Sequence, residues 1–518
     1  MPDTPPAEPL MDRARLYQHL NSPWAFVLVM VLLGAWFSWL HQDYPNVRNS
    51  LLYSEISLAA NAYGPLSQET LERASNKPMG FSILAAPLVQ WLGSDPGLKV
   101  ASVIGTTFYG VVSLLFLIRM VGREEAFSEQ VVRLGIILTL FNPLLLYQFV
   151  SAYPDTLFAG LFLLALLLAD RSLSREASLW HGTGFAGITL ASVWIKHHGF
   201  VLIPIFIWLL IARRETLQWQ WQQHRARFWQ GVIPFLLLLI FLLAAHKGLL
   251  PTFNMSKNQG NFLSGKDRLE ILGDNLENLG LYLSITLGLL TPLLLRRPPR
   301  AWRQSWQWPG VVIIFTLPLL FYHGAIYNSR YYLPIAPLLA WWVAGGLARF
   351  KPRTQNILLA GFLFCNGFTI VYYDFPEAHQ LLQPHLSLPE MDNLRLATEQ
   401  PREKENLDLI KALAPAHDNT LIFLSRYYWG KAARAWERAG LFPDNLTIHY
   451  ASSWRASLPR RFHFKRAVIY EYVGTGPERN KLDRDRSIKR YLKKINDRLY
   501  LLQPLRRIHL KKAPSPKE

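Results

Sequence analysis

The chain has 518 residues, half of them hydrophobic, with 18 tryptophans and a formal net charge of +19. Apolar runs such as Trp24 to Leu40, Val131 to Val150 and Val311 to Leu320 follow one another, and this excludes a soluble protein. The one cysteine, Cys365, excludes an intramolecular disulfide. Inward loops and anionic lipid account for the basic charge, so membrane lipids are expected partners and nucleic acid is not.

The apolar segments predict an all-α polytopic membrane protein. Residues 1–23 are expected to form a cytoplasmic tail, and the first segment should remain as an anchor because no small-residue cleavage site follows it. A span needs about 20 apolar residues. The region 24–373 therefore predicts about eleven spans, at 24–40, 98–118, 131–150, 154–169, 183–195, 199–212, 230–246, 280–296, 309–325, 331–349 and 355–373.

The polar links between these segments alternate in charge. One set is rich in Arg and Lys and is predicted to face the cytoplasm, which places the loops 41–97 and 247–279 outside. Residues 79–93 form an apolar segment that is short for a span. If this segment crossed the membrane, all later basic links would face outward. It is therefore expected to be re-entrant or interfacial. The stretch 183–212 is interrupted at Lys196 to Gly199, which favours a hairpin of two short spans.

The tail from Asp374 to Glu518 predicts a small soluble C-terminal α/β domain, which the topology places in the periplasm. Helical and extended patterns alternate along it. The predicted helices are 402–414, 431–439 and 487–499, and the predicted strands are 420–424, 446–450 and 467–473.

Five motifs follow one another on the predicted outer side. They are a helix from Asn49 through Tyr53 and Ala59 to Gly64, the Asn76-Lys77-Pro78 block, Tyr153-Pro154-Asp155, the Trp194-Ile195-Lys196-His197-His198-Gly199 corner and Ser329-Arg330-Tyr331. In this order they resemble the motifs of the GT-C superfamily of membrane glycosyltransferases, which includes the protein O-mannosyltransferases and the lipid A aminoarabinose transferases. The resemblance covers residues 24 to about 350.

The resemblance implies a sugar donor on a polyprenyl phosphate and a carboxylate in the first loop that acts as general base on the acceptor. Asp43, directly after the first span, is the first candidate for the base. The family's spacing places the carboxylate nearer Asn49, so Glu55 stays an alternative, and a solvated residue at a helix end is the simpler explanation of Asp43. Asp155 is the second carboxylate. The resemblance favours a site role, in which it positions the acceptor or a metal, over the alternative of a charge that only stabilises a helix N-terminus. Whether a divalent metal takes part is left open.

The cationic groups of the outer side are expected to hold the departing lipid phosphate, because fixed cations beside lipid stabilise the charge that develops there. Snorkelling to the interface also explains each cation taken alone. Several cations together on the outer face are unexpected, because Lys and Arg concentrate on the cytoplasmic side. The predicted cations are Lys77, Lys196, His197, His198 and Arg330, and Tyr153 and Tyr327 are predicted to contact the substrate.

The sequence therefore favours a glycosyltransferase of a bacterial inner membrane, acting at the periplasmic face on a lipid, glycan or protein acceptor. A lipid-glycan flippase or transporter is the first alternative, since it would share the spans and the charged corner. A polysaccharide polymerase or ligase is another. The Asp483-Arg484-Asp485 stretch imitates a metal motif but lies in a charge run typical of a solvated helix face.

Overall fold

The structure is a computed structural model in which helices dominate the chain up to Leu413. The predicted site residues Asp43, Lys77 and Tyr327 lie outside the residues that it describes. The described residues are 22–41, 45, 49–74, 78–121, 128–174, 178–246, 268–296, 302, 306–321, 329–374, 381–382, 396–425, 436–437, 440–451, 466–472, 492–496 and 498–502.

The predicted anchor is a helix, and three shorter helices follow it. Their bounds are α1 Pro23–Leu40, α2 Asn49–Tyr63, α3 Gln68–Arg73 and α4 Gly80–Leu92. The 13 residues of α4 extend about 20 Å, which is shorter than the ~30 Å of hydrocarbon in a bilayer. The side chains of Ser57 and Asn61 on α2 donate hydrogen bonds to the carbonyls of Ser82 and Ala86, at 2.9 and 2.8 Å. Residues 79–93 therefore form a short helix that is hydrogen-bonded to α2 within the first loop.

The segment predicted as one span at 131–150 is two helices rather than one. Pro143 has no N–H to continue the preceding helix, and the side chain of Asn142 accepts a hydrogen bond from the backbone N–H of Leu145 at 3.2 Å. The first helix therefore ends at Leu140, and a second helix begins at Pro143. The helices of this region are α5 Ser94–Val121, α6 Ser128–Leu140, α7 Pro143–Gln148 and α8 Asp155–Ser172.

The predicted interruption at the Lys196 corner is confirmed. Lys196 has extended backbone angles, φ −155° and ψ 129°, and a 3-10 turn, His197–Val201, leads into the next helix. The helices around it are α9 Leu179–Ile195, α10 Leu202–Ala212, α11 Arg214–Gln223 and α12 Arg225–His246.

The last helices before the tail complete the membrane region. They are α13 Arg268–Leu287, α14 Gln307–Leu320, α15 Ala336–Leu347 and α16 Pro352–Asp374, with 3-10 turns at Gly288–Leu295 and Ser329–Ile335. Four described helical segments are long and apolar enough to cross a membrane, as a multi-pass protein requires: Pro23–Leu40, Ser94–Val121, Leu269–Leu295 and Pro352–Tyr372. The count of about eleven spans stays a prediction.

The described tail is a helix followed by a five-stranded sheet with the order β2-β1-β3-β5-β4. Strand β1 is parallel to β2 and to β3, while β5 is antiparallel to both β3 and β4. The elements are α17 Leu396–Leu413, a 3-10 turn Ala414–His417, β1 Thr420–Ser425, β2 Thr447–Ala451, β3 Ala467–Tyr472, β4 Leu492–Lys494 and β5 Leu499–Leu502.

The helix predicted at 487–499 is wrong, because its described part forms β4 and the start of β5. Pairing with β3 overrides the local helical pattern: Ile469 lies opposite Tyr500, and both are buried. The helix predicted at 431–439 lies mostly outside the described residues. The three strands predicted earlier in the tail are present, each within one or two residues of its predicted bounds.

A buried carboxylate joins α17 to this sheet. Glu403 is fully buried and accepts hydrogen bonds from the side chains of Arg498 and Tyr470. The amide of Asn496 also donates to Asn406 at 2.8 Å. Helix α17 contacts α16, so the sheet is attached to the last helix of the membrane region.

Candidate active site

A buried carboxylate, Asp155, opens α8 and lies between two cations from distant parts of the chain. The Nε atom of Arg330 is 3.0 Å from Oδ2 of Asp155, and the ammonium of Lys196 donates a hydrogen bond to Oδ1. Asp155 is 3% exposed and Arg330 5%. Charges buried to this degree are tolerated only when they are paired, so the three groups form one unit with an excess of positive charge.

The break between α9 and α10 places Lys196. The N–H of Lys196 donates to the carbonyl of Ser192 at 2.8 Å, which ends α9, and the N–H of Gly199 donates to the carbonyl of Lys196 at 2.9 Å. A Cβ atom at Gly199 would overlap the backbone of Ser192 and Val193. Glycine is therefore required for the chain to fold back on the end of α9, and this turn directs Lys196 towards Asp155.

Two buried tyrosines hold the turn that carries Arg330. The hydroxyl of Tyr109 on α5 donates to the carbonyl of Leu333 at 2.9 Å, and the hydroxyl of Tyr282 on α13 donates to the carbonyl of Tyr332 at 3.1 Å. Both tyrosines are fully buried. Since a 3-10 turn leaves carbonyls without helical partners, these two bonds fix the Ser329–Ile335 turn against two long helices and so place Arg330.

Aromatic rings surround the two cations. The ammonium of Lys196 is 3.8 Å from the centre of the Tyr331 ring, and the guanidinium of Arg330 is 4.2 Å from the centre of the Tyr153 ring. The ring of His198 lies 5.0 Å from that of Tyr331. Cation–π contacts of this kind are strongest where water is excluded, so the rings help to hold the cations beside Asp155.

The first loop reaches the same cluster. The ring of Tyr53 on α2 packs edge-on against Tyr153 at 6.4 Å and against Phe81 on α4 at 5.6 Å. A Cβ atom at Gly80 would overlap the backbone of Trp194, so α4 begins in close contact with the end of α9. The four motif regions that the structure describes therefore converge with Asp155 at one end of the helices.

Of the ten predicted site residues, the structure brings Asp155, Lys196, Arg330, His198 and Tyr153 into one cluster. His197 begins the adjacent 3-10 turn and is half-buried.

Glu55 is 4% exposed and is paired with Arg73 of α3. Because residues two apart on a helix do not share a face, Glu55 and Tyr53 point in different directions. The role of Glu55 as a base stays a prediction.

One buried cation of the described residues, Lys99, is not among the predicted site residues. Lys99 on α5 is 2% exposed, and its ammonium donates to the backbone carbonyl of His41. Burial lowers the pKa of His41. A hydrogen bond to the carbonyl of Phe37 raises this pKa, and the positive charge of Lys99 lowers it further. A lysine one residue inside a predicted span is costly unless it is paired, and this signal could have identified Lys99.

Nothing in the described cluster resembles a metal site. Among the residues that the structure describes, no group of three or more His, Cys, Asp or Glu side chains could hold a metal ion. The immediate charged neighbours of Asp155 are Lys196 and Arg330, which are cations rather than ligands. The described part of the cluster is suited to an anion, since its net charge is positive.

A second buried carboxylate lies at the opposite end of α8. The side chain of Asp170 is fully buried; it accepts a hydrogen bond from Arg213 and lies 3.8 Å from Nε of Arg119. Arg213 also donates to the carbonyl of Asp170 at 2.9 Å and to the side chain of Gln307 at 3.2 Å. Residues of three basic links, those that contain Arg119, Asp170 and Arg213, thus meet at this end of α8. The helix has 18 residues, so this end lies about 27 Å from its start.

Proteins of solved structure share the arrangement of these helices. Solved structures that share it are those of ArnT, a lipid A aminoarabinose transferase, from Cupriavidus metallidurans. The ArnT structure bound to undecaprenyl phosphate has a TM-score of 0.55 and 14% sequence identity, over 92% of this chain and 98% of that chain. Its apo state has a TM-score of 0.54 and 12% identity, over 92% and 97%.

No protein-family model and no curated protein matches the sequence. The likeness at this identity establishes the fold, and it confirms the resemblance that the motifs of the outer side indicate.

Proposed function

We propose that this protein is a glycosyltransferase that moves a sugar from a polyprenyl-phosphate donor to a lipid, glycan or protein acceptor. The observation that carries the proposal is the buried unit of Asp155, Lys196 and Arg330. An excess positive charge in a low-dielectric site is suited to a phosphate leaving group, whose charge grows as the sugar departs. ArnT, which has the same fold, has been solved with undecaprenyl phosphate bound.

The geometry favours different roles for the three groups. Arg330 is suited to bind phosphate through its planar guanidinium, and Lys196 as a point charge. Asp155 accepts from Lys196 and faces Arg330, so its oxygens are engaged with cations and it is a weak base. We infer that Asp155 positions the two cations, and that the general base comes from the first loop, at Asp43 or Glu55.

The charge distribution supports a periplasmic site in an inner membrane. Arg119 and Arg213 belong to basic links, and both meet Asp170 at the end of α8 opposite to Asp155. Basic links concentrate on the cytoplasmic side of a membrane. The end that carries Asp155 then faces the periplasm, where the sheet of the tail would also lie.

A transfer assay tests the proposal. Purified full-length protein is incubated with a labelled polyprenyl-phosphate sugar and a membrane-lipid extract as acceptor, and release of free polyprenyl phosphate is measured. The wild type is expected to release it, and Asp155→Asn is expected to lose about 10²–10³-fold in turnover, because Lys196 and Arg330 lose the charge that orients them. Asp43→Asn and Glu55→Gln, assayed in parallel, identify the base.

The matched control is Asp170→Asn, the same change at the other end of α8, assayed per amount of folded protein. Full activity of Asp155→Asn would contradict the role of the buried unit. Movement of the labelled lipid across a vesicle without bond cleavage would instead support a flippase. Growth of a polysaccharide chain would support a polymerase or ligase.

A further inference from the structure

A short polar helix lies at the end of the bundle opposite to Asp155. Helix α11 has 10 residues, about 15 Å, and connects the apolar helices α10 and α12. It is too short and too polar to cross a membrane. Arg213, directly before it, bonds to Asp170, and the amide of Gln220 donates to the carbonyl of Ser174 just beyond the end of α8. One side of α11 is therefore fixed to the protein.

The other side of α11 and the start of α12 expose arginine and tryptophan together. Three arginines, Arg214, Arg225 and Arg227, are exposed, against one exposed acidic residue, Glu215. The exposed large hydrophobic side chains of this segment are Trp221, at 42%, and Trp229, at 41%. This segment, from Arg214 to Trp229, is called here the arginine–tryptophan corner.

The aromatic rings of the corner form one cluster. The ring of Trp221 packs edge-on against Phe228 at 5.1 Å and against Trp229 at 6.0 Å, and the guanidinium of Arg225 lies 5.4 Å from the centre of the Trp221 ring. The rings remain 41–42% exposed even though they contact one another. Exposed indole rings beside arginine are typical of surfaces that lie at the headgroup level of a bilayer.

We propose that the arginine–tryptophan corner is a binding site for the headgroups of anionic phospholipids, in the leaflet opposite to the Asp155 cluster. Charge complementarity identifies the partner: the arginines match lipid phosphates, and the tryptophans match the boundary between headgroups and acyl chains. Helix α11 lies where α10 ends and α12 begins. Because α10 and α12 are apolar, a bilayer would place this corner at the level of its headgroups. This inference is independent of the proposed transfer reaction.

Lipid retention tests the inference. Full-length protein is delipidated in detergent and titrated with phosphatidylglycerol or phosphatidylcholine, and bound lipid is counted by native mass spectrometry. The wild type is expected to retain phosphatidylglycerol in preference to phosphatidylcholine. The variant Arg214→Gln/Arg225→Gln/Arg227→Gln is expected to bind phosphatidylglycerol about 100-fold more weakly, since each of the three arginines near an anionic surface changes affinity about fivefold. Its retention of phosphatidylcholine should be unchanged.

A matched control removes three exposed cations from another basic link, with Arg349→Gln/Lys351→Gln/Arg353→Gln at the start of α16. It should weaken the binding of phosphatidylglycerol less than the corner variant does, because no exposed tryptophan is described in this link. Both variants are first checked for a monodisperse elution profile and an unchanged melting temperature. Equal phosphatidylglycerol retention by the wild type and the corner variant would overturn the inference. Competition by inorganic phosphate as strong as that by the lipid would also overturn it, because it would indicate a site for soluble anions.

Discussion

The two ends of α8 carry similar charges in different surroundings. Asp155 and Asp170 are both buried carboxylates, and each faces two cations from other segments. At the Asp170 end, Arg213 donates to two oxygens of Asp170 and to the side chain of Gln307, so protein groups occupy all three of its nitrogens. At the Asp155 end, the cations lie over tyrosine rings next to the first loop.

This difference shows that a buried ion pair alone does not indicate a function. The Asp170 network joins α8 to the ends of α5 and α10 and the start of α14, which is a structural role. The Asp155 cluster gathers the motif residues of the predicted outer side, and its cations lie over tyrosine rings. Perturbed and costly groups gather at functional sites, but structural networks also contain them. Substitutions at the two ends should therefore separate the roles.

The largest contrast is expected between two arginines. Arg330→Gln should lower transfer about 10²–10³-fold, because it removes a charge that stabilises the leaving phosphate. Arg213→Gln removes a half-buried guanidinium from the other end and should leave turnover per folded protein near that of the wild type. Release of polyprenyl phosphate from the labelled donor measures both. Similar losses in the two variants would contradict the division between the ends.

Asp170→Asn should lower the stability of the protein rather than its turnover. Removing one partner of a buried ion pair costs about 3 kcal/mol, since the arginines are left without a counter-charge. We expect a lower melting temperature in detergent and a smaller folded yield, with turnover per folded molecule preserved. Asp170→Glu keeps the charge and should recover part of the stability. An unchanged melting temperature in Asp170→Asn would show that the network is not structural.

The smallest expected effect concerns the two hydroxyls that hold the Arg330 turn. Tyr109→Phe and Tyr282→Phe each remove one buried hydrogen bond to a carbonyl, worth about 1 kcal/mol. Turnover should fall a few-fold as Arg330 loses its fixed position, and the KM for the donor should rise. Tyr372→Phe, a buried tyrosine on α16, is the matched control and should leave both constants unchanged. If it alters them equally, the effect is not specific to the turn.

Local chemistry made several parts of this protein predictable from the sequence. Hydrophobic runs and basic links predicted a multi-pass protein, and the polar corner at Lys196 predicted a break in the helix that the structure confirms. The capping residue Asn142 is an equally local signal, which marks a break between two helices. The strands at 420–424 and 467–473 were predictable because their residues alternate or are continuously apolar, as buried strands require.

Only the tertiary structure decided which charges meet. The sequence identified Asp155, Lys196 and Arg330 as candidates, but it did not show that two cations would engage one carboxylate, or that Glu55 would pair with Arg73. It gave no indication of the Asp170 network, and it predicted a helix where pairing with β3 produces strands. The physical reason is the same in each case: spacing along the chain determines periodicity and burial, whereas contacts between distant segments depend on how the helices and strands pack.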